Sequence, residues 1–107
     1  MSGVLSSLRA RPGLLALGAE GPGALTVRVQ MPELWDTIAV RCEESTSVIA
    51  LKKAALEAFG EHTHHVEDYV LKLRGFEVLD ESAPVTVAGA LDGSTFLLTY
   101  RRRRPVR

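Results

Sequence analysis

A chain of 107 residues with 46% hydrophobic and 24% charged content has room for one hydrophobic core and the make-up of an ordinary globular domain, not of a disordered or fibrous chain. Thirteen bases balance thirteen acids, but unevenly: residues 24–100 hold six bases and twelve acids, residues 1–23 two arginines and one glutamate, and residues 101–107 five arginines and no acid. A single cysteine, Cys42, excludes an internal disulfide framework and a multi-cysteine zinc site, and no apolar run reaches the ~18 residues that span a bilayer.

Residues 1–23 contain a short apolar run (Leu14, Leu15, Ala16, Leu17) between Pro12-Gly13 and Gly18, with Gly21, Pro22 and Gly23 beyond. Glycine and proline at that density predict a flexible leader. Its arginines and serines give only a faint likeness to an organelle transit peptide, and with no secretory signal the expected location is the reducing cytoplasm. From Ala24 the pattern is regular. Leu25, Val27, Val29 and Met31 alternate with Thr26, Arg28 and Gln30, which predicts a half-buried strand stopped by Pro32. After the loop at 32–36, Ile38, Val40 and Cys42 alternate with Ala39, Arg41 and Glu43, a second strand that completes a hairpin.

Ser45, Thr46 and Ser47 are N-cap candidates for a helix over about 47–59, in which Val48, Leu51, Ala55 and Ala58/Phe59 recur at helical spacing and Gly60 closes the last turn. A polar loop follows over 61–68. Residues 69–74 alternate again, with Leu71 and Leu73 on one face and Val70, Lys72 and Arg74 on the other; Gly75 marks a turn before a short strand at 76–79. Residues 80–93 are broken by Pro84, Gly89 and Gly93, and the last strand, 95–101, carries Phe96, Leu98 and Tyr100 on one face. The order β-β-α-β-(β)-β predicts an α+β domain over 24–101: one helix packed across a mixed four- to five-stranded sheet, with a basic tail at 102–107.

This order, with its residues, resembles the ubiquitin-like β-grasp family over about residues 24–101. Val48, Leu51 and Lys52 match the apolar, apolar, Lys run of ubiquitin-like helices, and Gly60 matches the glycine that ends that helix. Residues 71–80 (LKLRGFEVLD) are similar to the third strand, its glycine turn and the strand after it, and residues 91–98 (LDGSTFLL) to the entry of the last strand. The resemblance implies a non-enzymatic binding domain. Relatives that become covalently attached end in Gly-Gly, whereas here the last strand runs into Arg101, Arg102, Arg103 and Arg104, and no Gly-Gly follows residue 60. A non-conjugating role is therefore expected. In the hydrophobic patch by which ubiquitin is recognised, Lys72 falls at the central isoleucine, and Leu97 and Thr99 at the histidine and valine. Ordinary ubiquitin receptors, which bury apolar surface there, are not expected to bind.

The candidate protein-binding residues are on the face of the sheet away from the helix and in the first hairpin loop. Thr26, Arg28, Gln30, Val70, Lys72, Arg74, Leu97, Thr99 and Arg101 point outward by alternation, placing four bases and no acid there. Such a face suits an acidic protein partner, with Val70 and Leu97 as apolar contacts. Leu34 and Trp35, the only tryptophan, sit in the loop; the ring is either an exposed anchor or folded back over the sheet edge. A Ras-binding type of β-grasp domain is the alternative, with Arg28, Arg41, Lys52 and Lys53 facing a small GTPase. Arg101, Arg102, Arg103 and Arg104 are the candidate anion site, the one place for nucleic acid or anionic lipid. His62, His64 and His65 are read as a solvated loop, not as metal ligands, and Cys42 as an inert core thiol. No cofactor is expected, no catalytic residue stands out, and the sequence leaves the oligomeric state open.

Overall fold

The computed structural model describes residues 9–11, 14–18, 21–60 and 63–101. Strand β3 (Ala24–Met31) turns at a 3-10 helix, Pro32–Leu34, into the antiparallel β4 (Asp36–Glu43), paired without a break from Ala24↔Glu43 to Met31↔Asp36. The alternation read from sequence is realised: Leu25, Val27, Val29 and Met31 are buried against Ile38, Val40 and Cys42. Pro32 supplies the turn's fixed φ, and Trp35 ends it in the left-handed region (φ 53°) with its N–H donating to the Pro32 carbonyl at 3.0 Å.

Helix α1 (Val48–Ala58) begins at Ser47, whose hydroxyl accepts from the Ala50 N–H at 3.2 Å. Two more of its first amides are satisfied from a distant loop: Val48 N–H donates to the Ala83 carbonyl (2.9 Å) and Ile49 N–H to that of Glu81 (2.7 Å). Gly60, at φ 87°, carries the chain out of the helix. A second 3-10 segment, Thr63–Asp68, leads to β5 (Tyr69–Leu73), then the two-residue β6 (Phe76–Glu77) and, after a long loop, β7 (Thr95–Tyr100). The β7 strand lies parallel to β3 and antiparallel to β5. Its entry is fastened by Asp92, whose carboxylate accepts the Thr26 N–H at 2.8 Å, and by Gly93, whose N–H donates to the Thr26 carbonyl at 2.7 Å.

The domain boundary at residue 24 needs correction. Residues Arg9–Arg11 form β1 and Leu14–Ala16 form β2, and β2 pairs in parallel with β4 (Leu14↔Ala39, Leu15↔Val40, Ala16↔Arg41). Among the described residues the sheet therefore has seven strands, in the order β1-β2-β4-β3-β7-β5-β6, rather than four or five. The physical reason is Leu15, 4% exposed, which inserts into the core beside Val40, while Leu17 and Gly18 both donate N–H groups to the Arg41 carbonyl. Gly18 is suited to that passage: a Cβ there would stand 2.9 Å from Glu43 Cγ. The glycines read as signs of flexibility serve, at this position, a close approach.

One face of the sheet packs on α1 through Val48, Leu51, Ala55 and Leu56, with Tyr69, Leu71, Leu73, Val85, Phe96 and Leu98 completing the core. Phe59, expected inside, is half-buried at the helix end.

Candidate functional site

The face of the sheet away from α1 follows from the register. Gln30, Leu97, Lys72 and Glu77 lie side by side on β3, β7, β5 and β6, with Thr37 of β4 beyond Gln30. Arg28 and Thr95 form the next row and Ala39 continues it. Arg28 is exposed, Lys72 and Leu97 are half-buried, and neither base makes an ion pair with any described residue. Thr99 is half-buried at the far end of β7, its hydroxyl donating to the Tyr100 carbonyl at 3.3 Å.

Three residues assigned to this face behave otherwise. Val70 is 2% exposed although it is not part of the core cluster. What lies across its strand is Arg101, which continues β7 with its N–H on the Asp68 carbonyl (2.7 Å) and reaches over β5: Nε donates to the Glu67 carbonyl at 3.0 Å and Nη1 to Glu77 Oε2 at 3.2 Å. Val70 is thus no apolar contact, and Arg101 is no free cation of the tail. Alternation failed here because it names the face of a side chain and not what lies over it. The expectation of a face without acids is corrected too, since Glu77 stands on it. Arg74, finally, leaves the face. It takes φ 54° in a two-residue turn with Gly75 (φ 85°), and its Nη1 lies 3.6 Å from where a Gly89 Cβ would stand, beside Leu73. A left-handed turn residue no longer follows the strand's alternation. Arg102, Arg103 and Arg104 fall outside the described residues, as does His62.

The hairpin loop resolves the choice left by sequence: the Trp35 side chain is 95% exposed, and Leu34 next to it is exposed as well. The 3-10 turn carrying them contacts β7, so the loop stands at the end of the sheet where Thr99 lies. Leu34 and Trp35 thus stand past the Thr99 end of the sheet; Leu97 and Lys72 lie one row inward from Thr99, and Arg28 a row further in.

Lys52 is corrected more sharply. It is fully buried, with Nζ donating to the Tyr69 carbonyl (2.8 Å) and to both carboxylate oxygens of Glu81 (2.7 and 2.8 Å). It cannot face a GTPase. The β4 edge, beside which the Ras-binding type of docking would place its partner, is covered by β2, and Arg41 there donates from Nε to the Gly18 carbonyl at 3.1 Å. Helical spacing already puts Lys52 on the face of Val48, Ala55 and Leu56 and Lys53 off it; a lysine is an unusual residue to bury, and the distant acid that makes it possible, Glu81, is what sequence does not show. Cys42 is fully buried, and burial first, with the neighbouring Glu43 charge adding to it, pushes its thiol above the ordinary 9.0 against a hydrogen bond from Thr46 that lowers it. A thiol so placed is a poor nucleophile. Among the described residues no cluster of three metal-binding side chains occurs, and no helix is long and apolar enough to cross a membrane.

A helix laid across a mixed sheet, with β3 and β7 parallel at its centre, is the ubiquitin-like β-grasp fold. Solved structures bear this out. The ubiquitin-like domain of an Arabidopsis thaliana protein matches with a TM-score of 0.64 and 14% identity, over 85% of this chain and 92% of that one. The C-terminal ubiquitin-like domain of mouse tubulin-specific chaperone e gives 0.64 and 14%, over 84% and 98%. The ubiquitin-like domain of Plasmodium falciparum Dsk2 gives 0.61 and 23%, over 73% and 99%. No protein-family model matches the chain, and no curated protein does. The chain is a ubiquitin-like domain by fold.

Proposed function

We propose that this domain is a non-enzymatic adaptor that binds a protein partner without covalent attachment, through the Leu34/Trp35 loop and the adjoining outer sheet face. The observation that carries the reading is the exposure of Trp35: an aromatic ring held out at 95% exposure by a proline-started turn. A folded domain gains nothing from such a ring in water, whereas a tryptophan buried at the centre of an interface commonly contributes on the order of 2 kcal/mol or more. Leu97 and Leu34 extend the apolar contact. Arg28 and Lys72, without ion-pair partners among the described residues, favour a partner that is acidic where it meets the sheet.

The test is affinity capture from the native host with the full chain, its Trp35→Ala variant and the Arg28→Glu/Lys72→Glu variant, each checked for an unchanged melting curve. The reading requires that one partner captured by the parent chain be lost from both variants. Equal capture by all three overturns it.

A further inference from the structure

A second surface lies at the opposite edge of the sheet from β2. Strand β6 is the outermost strand there, and its hairpin fixes which of its backbone groups are used. Leu73 and Phe76 flank the two-residue turn, and Val78 N–H donates to the Leu71 carbonyl at 2.9 Å. In an antiparallel ladder bonded and non-bonded pairs alternate. The intervening residue, Glu77, therefore turns its N–H and C=O away from β5, and Leu79 lies just beyond the ladder. Neither residue's backbone groups have a recorded hydrogen bond to any described residue.

Beside this open edge is a groove of about 490 Å³, walled by Leu73, Phe76, Val78, Leu79 and Val87. Phe76, Leu79 and Val87 are all largely exposed, the last at 73%. Three large apolar side chains gathered about one concavity are more than the scattered exposure normal for a surface. The charges at its mouth are unequal. Glu77 is held by Arg101, and Asp80 accepts from the Ser82 hydroxyl at 2.6 Å and its N–H at 3.2 Å. Arg74, turned off the sheet face by its positive φ, has no recorded hydrogen bond or ion pair among the described residues.

We propose that this groove docks an extended peptide segment of a partner protein, which pairs its main chain with Glu77 and Leu79, seats an aliphatic side chain between Leu73, Val78 and Val87, and sets a carboxylate against Arg74. Strand addition at an open edge takes affinity from main-chain hydrogen bonds and selectivity from side-chain pockets. The edge supplies the first and the groove the second. Arg101 neutralises Glu77, and Arg74 is the base at the mouth against which a carboxylate can be set. This site meets the outer sheet face only at Glu77 and shares no residue with the Leu34/Trp35 loop.

A random-peptide display library selected on the full chain tests the proposal. Enriched peptides should carry an aliphatic residue close to an Asp or Glu, and should bind Val87→Asp and Arg74→Glu about tenfold or more weakly while binding Trp35→Ala unchanged. Amide NMR shifts on adding one such peptide should fall on residues 74–80 and 83–88. Both substituted side chains stand at the surface, so the variants keep the fold, which a matched thermal melt checks. No enrichment, equal binding to Val87→Asp, or shifts centred on Trp35 and Leu97 each overturn the proposal. Shifts at residues 74–80 that appear with protein concentration alone, together with a dimer in sedimentation, also overturn it and assign the groove to a second copy of this chain. Loss of binding to Trp35→Ala alone would speak to the adaptor surface instead, so the two readings fail separately.

Discussion

Lys52, in the middle of α1, holds Glu81, in the loop that follows β6, in a two-oxygen ion pair at 2.7 and 2.8 Å. The same ammonium takes the Tyr69 carbonyl at 2.8 Å, so all of its donors serve the interior. The Glu81 carbonyl, in turn, accepts the Ile49 N–H of the same helix. One residue thus pins the loop to the helix by both its side chain and its backbone. Replacing Glu81 by Ala strands a buried ammonium, and the expected loss of unfolding free energy is about 3 kcal/mol. Lys53→Ala, one position away and exposed, should change stability by less than about 0.5 kcal/mol. Urea unfolding of the two variants measures the difference.

Leu15 is the residue by which β2 belongs to the core, and its pairing with Val40 places it over the middle of β4. Leu15→Ala is expected to cost about 2 kcal/mol or more, within the range for buried leucines. Leu14→Ala, half-buried on the opposite face, should cost much less. Equal, small effects in denaturant titrations would mean that the strand contributes no core.

Trp35 should emit as indole in water does and be quenched by iodide in the folded protein, since its ring touches almost nothing. Trp35→Ala should leave the unfolding midpoint within the ±0.5 kcal/mol typical of surface changes. A blue-shifted emission that moves red on unfolding contradicts the exposed ring.

Cys42 gives a pH dependence of fixed sign. Its thiol is raised in the folded state above 9.0, chiefly by burial, so folding favours the neutral form. Its contribution is complete below pH 9.0 and is lost as pH climbs from there toward the folded-state value, because the unfolded chain ionises first. The stability gap between the parent and Cys42→Ala should therefore narrow above that pH, at up to about 1.4 kcal/mol per pH unit. Chemical unfolding between neutral pH and 10.5 reads it, and a gap that widens contradicts the buried thiol.

Strand alternation in residues 25–31 and 38–42, and helical spacing from Val48 on, were enough to read the central fold, because both periods report directly on which side meets the core. The ends of the reading are where other physics intervened. The run Leu14–Leu17 looks like linker because glycines flank it; only the edge of β4, a tertiary feature, makes a strand of Leu14–Ala16. Val70 and Arg74 were placed by alternation, but Arg101 crosses over the first and a left-handed turn redirects the second. Lys52 shares the helical face of Val48, Ala55 and Leu56, but its charge points to the surface until Glu81, distant in sequence, is seen to pair with it. Trp35 is legible as a loop residue, while its exposure shows only in the folded turn that carries it. The groove beside β6 went unread, since its walls come from the β5–β6 hairpin and from the irregular loop that holds Val87.

The pairing of β2 with β4 has a consequence for how the chain is made. Leu15 leaves the ribosome before Val40 exists to receive it, and the hairpin of β3 and β4 must form before β2 has an edge to join. During synthesis the nascent chain therefore carries Leu14, Leu15 and Leu17 in water, a short sticky segment of the kind that chaperones and neighbouring nascent chains can seize. Slowing elongation through residues 24–43 lengthens that interval. Yield in the host then depends on translation speed as well as on the stability of the finished fold.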